Sequence, residues 1–143
     1  MDKQGPLVLV VTPPIHAFLT RLPFSDGELR DQTRQLEALQ RMVDGYVEVI
    51  RPHPQLRPDN VPGWHAFVNE EGLIRAQPFN PIGTAVARIA GWASNSYLVG
   101  PVVFCGDSTP PGLTWSAPDL LSTLVRSLGV PIHREPLPAG VPA

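Results

Sequence analysis

Residues 36–50, LEALQRMVDGYVEVI, read as the end of a helix, a stop and a strand, with no residue left over. Leu36, Leu39, Met42 and Val43 fall close to helical spacing, so one face of that turn row is apolar. Glu37 and Arg41 stand four apart on another face in the acid-first order that supports a helix. Gly45 is expected to be the left-handed residue that ends it. Tyr46, Val47, Val49 and Ile50 are then β-branched or aromatic, with Glu48 alternating outward. A helix followed so tightly by a strand must fold back onto the sheet that the strand enters. A helix packed on a sheet is therefore the frame into which the rest must fit.

Upstream, Leu7 to Thr12 is a short apolar run closed by Pro13-Pro14, the pattern of a buried strand. Ile15 to Leu22 follows as a second strand, so the two are expected to form a hairpin. Ser25-Asp26-Gly27-Glu28 has the spacing of a capping box, which places the helix start between Glu28 and Thr33.

Downstream, Arg51 to Gly63 carries four prolines and reads as a loop. Trp64 to Asn69 is a strand; Asn69-Glu70-Glu71-Gly72 is expected to turn the chain with Gly72 at positive φ, and Leu73 to Ala76 to return as a short strand. Asn80-Pro81 opens a second helix, with asparagine as cap and proline at the first helical position. Its apolar stripe is Ile82, Val86 and Ile89, and Gly91 can end it. Tyr97 to Cys105 is the strongest strand and suits a central position, although Pro101 fits only at a bulge or an edge. Asp107 to Thr114 is a loop. Ser116, with Asp119 three residues on, is expected to cap a third helix over 116–128, lined by Leu120, Leu121, Leu124, Val125 and Leu128. A proline-rich tail over 133–143 is expected to be mobile. The sum is a single α+β domain over 1–143, with a mostly antiparallel mixed sheet and three helices packed on it.

Composition excludes more than it assigns. A net charge of −2 gives no electrostatic footprint for nucleic acid. The apolar run Leu7 to Val11 is too short for a signal peptide or a membrane span, so no membrane partner and a cytoplasmic location are expected. Ten of the eleven basic residues are arginine, which fits a GC-rich bacterial, phage or plasmid source.

Chemistry-bearing patterns are sparse. His16, His53, His65 and His133 have no ligand spacing on one helix, and Cys105 is the single cysteine, so neither a metal nor any other cofactor is expected. His53 and His65 flank the proline-rich loop and are placed to meet across it. Cys105 ends a hydrophobic strand without a basic neighbour in sequence, which suits a buried small side chain better than a nucleophile facing Asp107. There is no phosphate loop, no GxGxxG after a strand and no GxSxG elbow. No catalytic residue is assigned. Trp64, Trp92 and Trp115 are packing anchors or an aromatic recognition surface.

LEALQRMVDGYVEV at 36–49, NEEG at 69–72, the Pro-x-Asn step at 78–80 and the valine-rich strand ending in glycine at 98–106 come in an order that resembles a bacterial, phage and plasmid family, domain of unknown function 3846. The resemblance covers about Leu7 to Gly106; the 52–62 loop, Pro101 and the third helix look like elaborations beyond it. It implies a small accessory protein, often carried on mobile elements, with no catalytic residues and no known cofactor. Asn69, Glu71, Gly72 and Asn80 match recurring positions of its pattern, each with a structural explanation. The leading expectation is a non-enzymatic protein-interaction module with a host protein as partner. The alternative is a small-molecule or nucleotide binder, in which Asn69, Glu71, Arg75 and Asn80 hold a small anionic ligand.

Overall fold

β1 (Leu7–Thr12) and β2 (His16–Arg21) form the expected hairpin, registered from Leu7↔Arg21 to Thr12↔His16. The computed structural model describes residues 4–107 and 114–136. Along β1, Val8 and Val10 face one layer and Leu9 and Val11 the other, all four buried. Both faces of the strand are covered, which is why it reads as an unbroken apolar run. After α1 (Leu29–Val43) come β3 (Val47–Ile50), β4 (Trp64–Asn69), α2 (Pro81–Ile89), β5 (Val102–Asp107), β6 (Thr114–Trp115), α3 (Asp119–Ser127) and β7 (Ile132–Arg134). The sheet order is β3-β4-β5-β1-β2-β7, with β6 paired to β5. Every pair is antiparallel except β2 with β7. This is the α+β fold expected from the sequence: a mostly antiparallel mixed sheet with three helices on it.

The helices divide between the two faces. Ala38, Leu39, Met42 and Val43 of α1 pack on Val8, Val10, Phe18, Phe67 and Val103. Val86 and Ala87 of α2, with Leu121 and Val125 of α3, pack on Leu9, Val11, Ala66, Val102 and Phe104. Trp64 anchors this second layer; its ring lies 5.7 Å from that of Phe104, and its indole N–H donates to Ala90 O at 2.9 Å. That bond satisfies the one polar atom of a fully buried side chain.

Several local expectations change. Leu36 is exposed, and Gln35 lies on the buried face instead, donating from Nε2 to Pro23 O at 2.9 Å. No capping box forms at α1. Ser25 Oγ accepts from Gly27 N and Asp26 Oδ1 from Glu28 N, so each closes its own turn, and Glu28 is an N-cap without a side-chain bond. Ser116 does not cap α3 either; its Oγ accepts from Leu7 N at 2.9 Å, and Pro118 takes the cap position. The central strand begins at Val102 rather than Tyr97, because Gly100 (φ 67) turns the chain and leaves Val99 in an isolated bridge to Phe79. Pro101 therefore stands outside the ladder that it would have broken. Asp107 closes β5 and Thr114 opens β6, so the loop expected between them is shorter; 108–113 fall outside the described residues. The tail is ordered further than expected: β7 pairs with β2 from Ala17↔Ile132 to Leu19↔Arg134, and Glu135 N donates to Leu19 O at 2.9 Å. Its remainder, 137–143, also lies outside the described residues.

Candidate functional site

The C-terminal carbonyls of α1 need donors from outside the helix. Asn69 supplies them: its Nδ2 donates to Val43 O and to Asp44 O, each at 3.0 Å, while its Oδ1 accepts from Glu71 N at 2.7 Å. Arg75 donates to Asp44 O at 2.7 Å, placing a cation at the negative end of the helix. Glu70 N adds a bond to Tyr46 O at 2.8 Å. The turn after β4 is thus a clasp on the end of α1.

The clasp revises two glycine expectations. The left-handed residue ending α1 is Asp44 (φ 59, ψ 49), while Gly45 has the expected positive φ, at 158, outside the left-handed helical region. Gly45 is needed for space: a Cβ there would stand 2.5 Å from Asn69 Nδ2. Gly72 is not at positive φ; among 69–77 that conformation falls to Ala76 (φ 54). A Cβ on Gly72 would meet Val99 Cγ2 at 2.8 Å, so this glycine permits close packing of two loops. Leu73 to Ala76 is not a strand. Its amides close successive turns, Arg75 N to Glu71 O and Ala76 N to Leu73 O, so no hairpin follows β4.

Beside the clasp lies a cavity of about 310 Å³, walled by β3 and β4, the 70–76 turn and the 92–99 loop. Ile50, Val68, Leu73, Ile74, Trp92, Tyr97 and Leu98 give it an apolar lining, and its charged lining residues are Glu48 and Glu70. Ile74 is 86% exposed, Leu73 57% and Tyr97 51%. β3 ends the sheet and pairs with β4 alone among the described strands. The cavity is thus an open cleft beside a sheet edge.

Of the four candidate ligand residues, Asn69 and Arg75 meet at Asp44, but both are engaged by backbone carbonyls. Glu71 is exposed. Asn80 is fully buried elsewhere, donating to Val11 O and Gly100 O at 2.8 Å each and accepting from Gly83 N at 2.9 Å. Asn69 is the one of the four that lines the cleft. Trp92 lines it too, whereas Trp64 is core and Trp115 is exposed. Sequence reasoning missed Leu73, Ile74 and Tyr97 by placing them in strands; two adjacent large apolar residues next to a polar turn were the available signal.

On the α1 face of the sheet, His65 Nδ1 lies 2.7 Å from Asp107 Oδ1, and Arg51 NH1 is 3.7 Å from the same oxygen. His65 therefore meets Asp107, while His53 Nδ1 accepts from Gln55 N. Burial lowers the His65 pKa, against the opposing pull of Asp107. Cys105, the register partner of His65, is fully buried, and burial pushes its thiol pKa far up. A thiol held protonated has no nucleophilic role at neutral pH.

Residues 15–124 match the family described as Domain of unknown function (DUF3846). The chain belongs to the DUF3846 family. The match starts in the β1–β2 turn, inside the Leu7–Gly106 core that the sequence suggested, and ends beyond it within α3, so part of the third helix belongs to the family region rather than being an elaboration on it. No curated protein and no solved structure matches the chain. In this DUF3846 domain the two stretches that carry the resemblance most specifically, 36–49 and 69–72, are bonded to each other through Asn69 and Glu70. Among the described residues no helix is long and apolar enough to cross a membrane.

Proposed function

We propose that this DUF3846 domain is a non-enzymatic binding module that receives a segment of a partner protein in the cleft between β3, the 70–76 turn and the 92–99 loop. The observation that carries this reading is the exposure of Leu73, Ile74 and Tyr97 around an apolar cleft whose charged residues are both acidic. Exposed large side chains gathered at one concavity are unusual unless something covers them. Glu48 and Glu70 favour a segment with aliphatic residues next to lysine or arginine. The unpaired edge of β3 offers main-chain donors and acceptors to an extended segment lying along it. A small anionic ligand has less support, since Asn69 and Asn80 already satisfy backbone groups and, among the described residues, no cationic side chain lines the cleft.

The test is selection from a random displayed-peptide library, followed by fluorescence anisotropy on the parent, Ile74→Asp and Glu70→Lys. Selected peptides should combine aliphatic and basic residues. Burial of Ile74 by the peptide contributes about 1.5–3 kcal/mol, so Ile74→Asp should weaken binding about tenfold or more. No enrichment on the parent, or peptides that bind all three proteins alike, would overturn the proposal.

A further inference from the structure

The edge of the sheet opposite the cleft carries an arrangement that the proposed binding function does not use. The parallel register Phe18↔His133 puts these two residues side by side on one face of β2 and β7. His16 and Glu135 stand two residues from Phe18 and His133 along their own segments, so period-two alternation brings both to the same face. The side chains converge. Glu135 Oε1 is 2.6 Å from His133 Nε2 and 3.2 Å from His16 Nε2, and the three donor atoms all lie within 4.8 Å of one another. The rings of His16 and His133 have centroids 5.0 Å apart, and the ring of Phe18 lies 5.5 Å from the first and 6.5 Å from the second.

We propose that His16, His133 and Glu135 form a binding site for a zinc-class divalent transition-metal ion. Two imidazoles and a carboxylate are a donor set that zinc takes, and imidazole also suits nickel and copper. Metal–ligand bonds of about 2.0–2.2 Å in tetrahedral geometry require donor atoms roughly 3.3–3.6 Å apart. The His16–Glu135 spacing of 3.2 Å is already close to that, the His133–Glu135 pair has to open by less than an ångström, and the two imidazoles, whose donor atoms lie within 4.8 Å, have to close onto the ion. The backbone holds the three residues side by side: His16 is in the hairpin ladder, His133 in the parallel ladder, and Glu135 N is bonded to Leu19 O. All three side chains are partly exposed, at 48%, 51% and 35%, so water has access to a remaining coordination position. Without an ion, one carboxylate oxygen bonds both Nε2 atoms; coordination through Nε2 replaces those bonds, with each neutral ring then carrying its proton on Nδ1. Because the donors come from both ends of the chain, an ion there would fasten β7 to the first hairpin.

The test adds Zn2+ alone to the metal-free, tag-free chain, in competition with a chromophoric chelator. The proteins compared are the parent, His16→Asn, His133→Asn, the double variant and His53→Asn. The parent should bind one equivalent; each single variant should lose at least about tenfold in affinity and the double variant should lose binding, as expected when donors of an open site are removed. His53→Asn should bind like the parent. Zn2+ should raise the melting temperature of the parent and leave that of the double variant unchanged, since only an ion bound to the native state stabilises it. Absence of one-equivalent binding by the parent, or binding retained by the double variant, would overturn the proposal. Should the double variant fail to fold, imidazole nitrogen spectra of the parent decide: Zn2+ should shift Nε2 of His16 and His133, and unshifted signals refute the site.

Discussion

Replacing Asn80 by alanine tests whether this buried residue serves the fold. Three bonds disappear together: two donated by Nδ2 to Val11 O and Gly100 O, and one accepted by Oδ1 from Gly83 N. The last is an N-cap, whose loss costs about 1 kcal/mol. Each of the other two leaves a carbonyl of a buried residue without its donor, at about 1–1.5 kcal/mol apiece. The sum is about 3–4 kcal/mol, a large part of the roughly 5–15 kcal/mol that holds a domain of this kind together. Asn80→Asp refines the test, because it keeps the cap acceptor but puts an oxygen against both carbonyls. It should cost at least about 2 kcal/mol by the same accounting of the two lost donor bonds. Equilibrium urea unfolding followed by tryptophan fluorescence gives both values, provided that the slope with denaturant stays constant. A cost below about 1 kcal/mol for Asn80→Ala, no more than an ordinary exposed cap, would refute the reasoning and leave the side chain available to a ligand.

Two further outcomes follow from the α1 face of the sheet. Burial holds the folded pKa of His65 below its ordinary value of 6.5, so between the two values the unfolded chain binds the extra proton; stability should be complete above 6.5 and decline as the pH falls toward the folded pKa. Unfolding midpoints should drop as the pH falls below 6.5 in the parent and drop less in His65→Gln, and equal pH dependence in the two would contradict this. Cys105 should react slowly with a thiol reagent in the native state and rapidly after denaturation, because its thiol is buried and kept protonated; fast native labelling near neutral pH would revive a nucleophilic reading.

What was legible in the sequence is what local chemistry decides. The α1–β3 junction was readable because helical spacing at Leu39, Met42 and Val43 gives way to β-branched residues within four positions. Asn80-Pro81 was readable because the cap and the proline act on the helix that they open. Ser25 was misread because its hydroxyl closes its own turn on Gly27 N instead of capping the helix, and Ser116 and Gly72 because each has a partner or neighbour that sequence spacing does not reveal. Ser116 binds an amide 109 positions away, and Gly72 is small because Val99 lies against it. Leu73 and Ile74 have strand-forming character, yet their backbone closes turns, because β4 already has β3 on one side and β5 on the other. A strand returning from β4 had no free edge of β4 to join. The same limit hid the histidine cluster, whose donors lie at opposite ends of the chain and meet through a parallel pairing with a segment that read as tail.

The clasp and the cleft meet at Asn69, and that contact separates the roles of the family-like residues. Asn69 lines the cleft, but both ends of its amide are taken, by Val43, Asp44 and Glu71. It therefore fixes where the wall stands rather than what the wall recognises. Gly45 and Gly72 act in the same way, one admitting Asn69 to the end of α1 and the other admitting the 92–99 loop to the turn. In the proposed binding function, recognition falls to side chains that the clasp positions but does not engage: Leu73 and Ile74 on the turn, Tyr97 on the loop, and Glu48 and Glu70 beside them. A substitution at Asn69 should then act on binding through stability and cleft shape together, whereas one at Ile74 should alter binding with the fold intact.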